Sequence, residues 1–174
     1  MALDATQVVS NVKRSFNRHI ADSVEPASVN FDEDPFDTDD LTSWFSVRYT
    51  GYRSEPAGMG DSIDEQTDAK GRIHRIGVEV GAWCRDDPQR LVLGDMADKI
   101  LSACSQAAIA LYDFTDPENP VEIGTLYLQS KEGKFTPTWS SGGVIRKSSS
   151  DAHLQARMVG YVLELDLVTI AEVG

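Results

Sequence analysis

Three histidines and two cysteines are the residues of this 174-residue chain best suited to bind a metal or move a proton. A zinc site needs three or four converging ligands. His19, His74 and His153 stand apart, with no HxH or HxxxH pair among them. Cys84 alternates with Val78, Val80 and Ala82, the pattern of one strand face, and Cys104 continues an apolar helical stripe through Met96 and Ile100. Both read as packed thiols rather than as a disulfide or a metal pair. No Gly-x-Ser-x-Gly elbow occurs, and no Cys–His spacing suggests an activated nucleophile. Carboxylates abound, 28 Asp and Glu against 16 Lys and Arg, for a formal net charge of −12. An acid–base dyad requires burial to push two pKa values apart, and spacing cannot reveal that. Residue chemistry therefore points to no enzyme, no metal and no cofactor.

Two loops approach ligand-binding motifs and fail them. Residues 32–40 read Asp-Glu-Asp-Pro-Phe-Asp-Thr-Asp-Asp. Counted from Asp32 as a calcium loop, the sixth position is Asp37 where Gly is required, and the twelfth is Ser43 where Glu is required. Gly58 and Gly60 form a Gly-x-Gly, but Asp61 and Asp64 follow and would repel a phosphate. Trp44, Trp83 and Trp139 could stack on bases, yet they are scattered and have few basic neighbours. The acidic balance also argues against a free-standing nucleic-acid binder, which needs a basic patch to displace counterions.

The elements that must position these residues follow from periodicity. Asp4 and Gln7 form a weak capping pattern, and Val8, Val12, Phe16 and Ile20 recur every fourth residue, which predicts a helix over 5–21. Lys13, Arg14 and Arg18 lie on its other sides as a candidate surface for a protein partner. Alternation predicts a strand over 43–50, with Phe45, Val47 and Tyr49 on one face. Residues 51–71 are polar and rich in glycine and read as a long loop or arm. A second strand covers 72–84, and its Trp83 faces away from the core as a candidate interface residue. Asp87 as N-cap and Pro88 at the first helical position open a long helix over 88–112, carrying Leu93, Met96, Ile100, Cys104 and Leu111 on its inner side. Its wet side includes Asp95 and Lys99, spaced as an ion pair. A strand over 121–129 follows, and a turn at 130–133 leads to a return arm that reaches Trp139, a further interface candidate. Residues 115–150 read as a hairpin inserted into a smaller core. The closing strand, 157–170, alternates most strongly and belongs inside the sheet.

The expected fold is thus a single α+β domain over residues 1–174. An antiparallel or mixed sheet of about four to five strands should carry the long helix on one face, with an N-terminal helix added. Phe45, Val47, Val78, Val80, Leu93, Ile100, Cys104, Leu163 and Leu165 form the expected core. No apolar run approaches the roughly 20 residues of a membrane span. No secretory leader is visible, which sets the expectation of a reducing compartment.

The order helix, acidic loop, strand, glycine-rich loop, strand, long helix and closing strands resembles the tail terminator proteins of long-tailed bacteriophages. The stretches that carry the resemblance are Val29-Asn30-Phe31-Asp32-Glu33-Asp34, Trp44 to Tyr49 with Thr50-Gly51, His74 to Val80 leading to Asp86-Asp87-Pro88, and Val159 to Leu167. The chain departs from smaller members through the 115–150 insertion. The resemblance implies a virion structural protein, assembled in the host cytoplasm and located at the neck, at the top of the tail. It implies a sixfold ring of copies that ends tail-tube growth and meets the tail tube protein on one side and the head-tail connector or stopper on the other. DNA passes through without sequence-specific binding, and no membrane is involved. Other readings are a neck stopper or adaptor, a small acidic hydrolase, or an intracellular binding module. In a ring through which DNA slides, acidic linings repel phosphate and basic ones hold it. Asp32, Glu33, Asp34, Asp61, Asp64, Glu65 and Asp68 are the residues expected toward such a lumen.

Overall fold

The computed structural model describes residues 5–31, 42–56, 71–85, 90–130, 139–146 and 157–172. Two helices and seven strands follow in the order α1 (Ala5–Val24), β1 (Val29–Asn30), β2 (Ser43–Pro56), β3 (Gly71–Arg85), α2 (Arg90–Cys104), β4 (Ala108–Asp113), β5 (Val121–Ser130), β6 (Trp139–Arg146) and β7 (Arg157–Glu172). The class is α+β, with one mixed sheet in the order β1-β2-β3-β7-β5-β4. β1 runs parallel to β2, and the other pairings are antiparallel.

β7 is the hub. One edge pairs with β3 without a break from Gly71–Glu172 to Arg85–Met158. The other edge has two successive partners, β6 along its first half and β5 along its second. Side chains alternate, so Ile76, Val78, Val80, Ala82 and Cys84 of β3 share the inner face with Leu163, Leu165 and Leu167 of β7. β2 adds Phe45 and Val47 opposite Ala82 and Val80. All nine residues expected in the core are buried. At about 1.5–3 kcal/mol for each fully buried Leu, Val or Phe, this face is the main source of stability.

Both helices cover the inner face. α1 buries Val8, Val12, Phe16, Ile20 and Val24, and α2 buries Leu93, Met96, Ile100 and Cys104, all in one continuous cluster with the strands. α1 also closes an edge of the sheet. Ser15 Oγ accepts from the Tyr112 backbone N–H at 2.9 Å, Asn11 Oδ1 accepts from the Phe114 N–H at 3.1 Å, and Asn11 Nδ2 donates to Asp113 Oδ1 at 3.3 Å. Those are amides that a strand edge would otherwise leave open. Pro26 lacks the N–H a helix needs, and α1 ends at Val24.

Four sequence expectations change. The 88–112 helix stops at Cys104, where Ser105 Oγ donates to the Leu101 carbonyl at 2.6 Å; Leu111 is buried on strand β4 instead. Over Ala107–Leu111 the apolar residues fit a helical and an alternating period equally, and pairing with β5 decides for the strand. Residues 51–56, expected in a loop, extend β2 and pair with β3 as far as Pro56–Arg72. The return arm expected to reach Trp139 lies outside the described residues up to 138; β5 and β6 each pair with β7, and Gly142 and Gly143, expected to loosen the chain, lie within β6. The four expected strands are present, but β1, β4 and β6 join them.

On the far side of the sheet the Trp83 indole lies over Gly81 and Gly160, where a Cβ would collide with its ring. Replacing Gly160 with Ala should therefore destabilise by about 1–3 kcal/mol. Gly94, exposed on α2 with nothing near its Cβ position, should instead gain about 1 kcal/mol on replacement with Ala. Chemical unfolding of the two variants measures both signs.

Candidate functional site

The helix-free outer face of the sheet holds the densest array of functional groups among the described residues. It is ordered in cross-strand rows. Trp44 lies opposite Trp83, which in turn lies opposite Gly160, and both rings are buried; Trp83 Nε1 donates to Ser46 Oγ at 2.8 Å. Further along, Arg48 of β2 meets Glu79 of β3, at 2.7 Å, with Glu164 of β7 beyond. Then come Gly51, Gly77, Asp166 and Gln129, and after them Arg53, Arg75, Val168 and Tyr127. The ion pairs here are partly exposed and each contributes at most about 1 kcal/mol. They set geometry more than stability.

A β-bulge interrupts this array between β2 and β3. Tyr49 pairs with Val78 and Gly51 with Gly77, leaving Thr50 as the extra residue. The bulge shifts the phase of β2. Phe45, Val47 and Tyr49 face inward before it; Tyr52 and Ser54 face inward after it, and Arg53 turns outward. Without the extra residue, Arg53 would point into the core. Two glycines opposite one another leave the floor bare, and a cleft of about 500 Å³ opens there, lined by Thr50, Gly51, Tyr52, Arg53, Arg75, Gly77 and Asp166. Arg75 Nε donates to Glu55 Oε1 at 3.0 Å and its Nη1 to Gln129 Oε1 at 3.2 Å, whereas among the described residues Arg53 has only a 3.8 Å contact with Asp166.

On the inner face beneath the cleft, His74 is buried against Tyr52. Their rings stack at 6.0 Å, and the Tyr52 hydroxyl lies 2.9 Å from His74 Nδ1. His74 Nε2 is buried without a hydrogen-bond partner among the described residues. Burial pushes the imidazole pKa below its usual value, and the nearby Arg72 charge adds to the effect. Cys84 and Cys104 are buried free thiols, and burial pushes the Cys104 pKa up to about 12, so it is an inert packing group. Among the described residues no group of three His, Cys, Asp or Glu is placed to hold a metal ion, and no helix is long and apolar enough to cross a membrane.

The residues singled out from sequence fall in different places. Lys13, Arg14 and Arg18 share one side of α1, but each already lies over an aromatic ring of the same chain. Lys13 Nζ is 4.9 Å from the Tyr49 ring, Arg14 Cζ 5.6 Å from Phe114 and Arg18 Cζ 5.0 Å from Tyr112. Arg14 and Arg18 remain exposed all the same. Trp83 faces away from the helices, as expected, yet is only 3% exposed and is held by Ser46 and the two glycines; its role inside the chain explains its position. Trp139 belongs to β6, with its backbone paired to Leu163. Asp32, Glu33, Asp34, Asp61, Asp64, Glu65 and Asp68 lie outside the described residues. Sequence reasoning missed the meeting of Arg53 with Arg75. The available signal was the placement of Arg53 and Glu55 at the parity of Phe45 and Val47: charged residues at core positions require a phase break, and Thr50-Gly51 is where one fits.

No protein-family model matches this chain, and a search of curated proteins finds no match either.

Burial of neutral His74 gives a signed pH dependence. Its folded pKa is depressed, so the unfolded chain binds the proton first as pH falls below about 6.5. Stability should decline from that point until the folded pKa is passed, then level off. The acid windows of Asp113 and Asp116, also depressed by local hydrogen bonds, begin below 3.8, outside the range from pH 7.5 to pH 5. Unfolding midpoints measured between pH 7.5 and pH 5 should slope in the wild type and flatten in His74→Phe; an equal slope in both would assign the effect to other groups.

Proposed function

We propose that this chain is a virion structural protein of the tail terminator type, forming a ring that caps the tail tube, joins the tail to the head or its connector and lets DNA pass. The reading rests on the order of elements described from sequence. The single structural observation that supports it is the unlike state of the two ends of the sheet. At one end β2 has an open edge: β1 pairs only with Phe45 and Ser46, and among the described residues no strand covers Val47 to Pro56. At the other end β4 is tied down by α1, while Val121, Ile123 and Tyr127 of β5 stand exposed, with Ile170 of β7 nearby. Contacts between unlike surfaces of identical copies are heterologous, and they close into rings when the rotation allows. An open edge also drives strand-to-strand association.

Within this reading, Asp32, Glu33, Asp34, Asp61, Asp64, Glu65 and Asp68 turn toward the axis and keep DNA from adhering. Arg14 and Arg18 remain on the outside of α1 for the tube or connector. The neighbours are further copies, the tail tube protein and the head-tail connector.

Electron microscopy and sedimentation of the purified chain test the proposal. The expected outcome is a sixfold ring that binds the end of a tail tube and arrests polymerisation of tube protein. A chain that stays monomeric at every concentration and ignores tubes would refute it. A ring that binds connectors but leaves tube growth unchecked would identify a stopper instead. Val121→Lys with Ile123→Lys should shift the chain to monomers without moving its thermal transition by more than a few degrees, because both side chains are exposed.

A further inference from the structure

We propose that the cleft beside the Thr50 bulge is a binding site for a carboxylate presented by an acidic peptide segment of a protein partner. The proposal does not rest on the ring: it concerns one cleft on the face of the sheet in a single chain.

Arg53 and Arg75 are direct cross-strand neighbours on the same face. Like charges so placed repel and weaken the strand pair unless an anion lies with them. The chain supplies that anion incompletely. Arg75 has Glu55 at 3.0 Å, but among the described residues Arg53 has only Asp166 at 3.8 Å, with its side chain 68% exposed. A guanidinium offers five N–H donors in a planar fork, so Arg53 has donors to give, and they flank open space. The space has a cause: Gly51 and Gly77 face each other without side chains, nothing lies within 4 Å of a Cβ at Gly51, and the Thr50 hydroxyl occupies the position above Gly77. A group entering over Gly51 meets two guanidinium groups and a hydroxyl.

The surrounding acids select the ligand. Asp166 and Glu55 bring the immediate charge to balance with the two arginines, and Glu79 and Glu164 lie in the next row but one. A nucleic-acid strand, with charge every few ångströms along its backbone, must lay neighbouring phosphates against those acids. A single planar carboxylate fits the arginine fork and displaces Asp166 from its loose contact. The complement is therefore a carboxylate side chain on a peptide rather than a polyphosphate.

Fluorescence anisotropy with a labelled hexaglutamate peptide and the intact chain tests the site, with a short oligothymidylate as competitor. The peptide should bind the wild type in a salt-sensitive way. Arg53→Gln and Arg75→Gln should each weaken it by about tenfold or more. Gly51→Glu, which places a carboxylate of the chain's own in the cleft, should weaken it as well. Lys99→Gln, exposed on α2 on the helix-bearing side, should leave binding within about twofold, and the oligothymidylate should not displace the peptide. Circular dichroism on each variant confirms that it folds, and Arg53 is exposed enough for its replacement to be tolerated. Absence of peptide binding, equal losses in Lys99→Gln and Arg53→Gln, or displacement by oligothymidylate would each overturn the proposal.

Discussion

The continuous pairing of β3 with β7 is the constraint on which everything else in this chain depends. From Gly71–Glu172 to Arg85–Met158 no residue is skipped. Because a strand alternates with period two, a slip by one residue would exchange the faces of one strand relative to the other. Leu163, Leu165 and Leu167 would meet the charged side of β3, and Glu164 and Asp166 would enter the core. Apolar burial therefore locks the register, and the register in turn places the outer-face rows. The stacking of Trp83 on Gly160 and the approach of Arg53 to Asp166 both follow from that lock, though neither contributes much to it.

The second organising feature is the unequal treatment of the sheet edges. α1 packs its apolar stripe on the core and also turns Asn11 and Ser15 toward β4, satisfying backbone amides that would otherwise invite another strand. The rings of Tyr112 and Phe114 then give Arg18 and Arg14 a place to rest. Tyr49 plays a matching part nearer the other edge, where its hydroxyl lies 2.6 Å from Asn17 Oδ1 and 2.9 Å from the Lys13 carbonyl. The outer edge of β2 beyond Ser46 receives no such treatment from the described residues. A chain that closes one edge with specific polar contacts and, among the described residues, leaves the other bare has a direction built into it, as association between unlike surfaces requires.

Much of the fold was legible in the sequence because burial on one face writes itself as alternation. Phe45, Val47, Val78, Val80, Leu163 and Leu165 announce both the strands and their phase, and the step of four from Val8 to Ile20 announces α1. What was illegible depended on partners rather than on local pattern. Ile109 and Leu111 suit a helix or a strand until β5 is known to lie beside them. Gly51 to Pro56 look like loop because their outward residues are charged and their inward ones include Tyr52 and Ser54, yet pairing with β3 keeps them extended. β6, with Gly142 and Gly143, looks like loosened chain because its partner, β7, lies downstream in sequence. The cleft depended on a single bulge, which is a property of two strands together. The tension at His74, a buried imidazole with one ring nitrogen unmatched, likewise required Tyr52 and the sheet to be in place.

The claim at the centre of this picture is that the bare edge of β2 is where one copy meets the next. Hydrogen–deuterium exchange, compared between the chain at high dilution and at assembling concentration, tests it most directly. The expected result is new protection concentrated in Val47 to Pro56 and in Val121 to Tyr127, with the amides of Tyr112 and Phe114, already bonded to α1, unchanged. Assembly that protects neither segment, or that protects β4 while β2 exchanges as before, would contradict it.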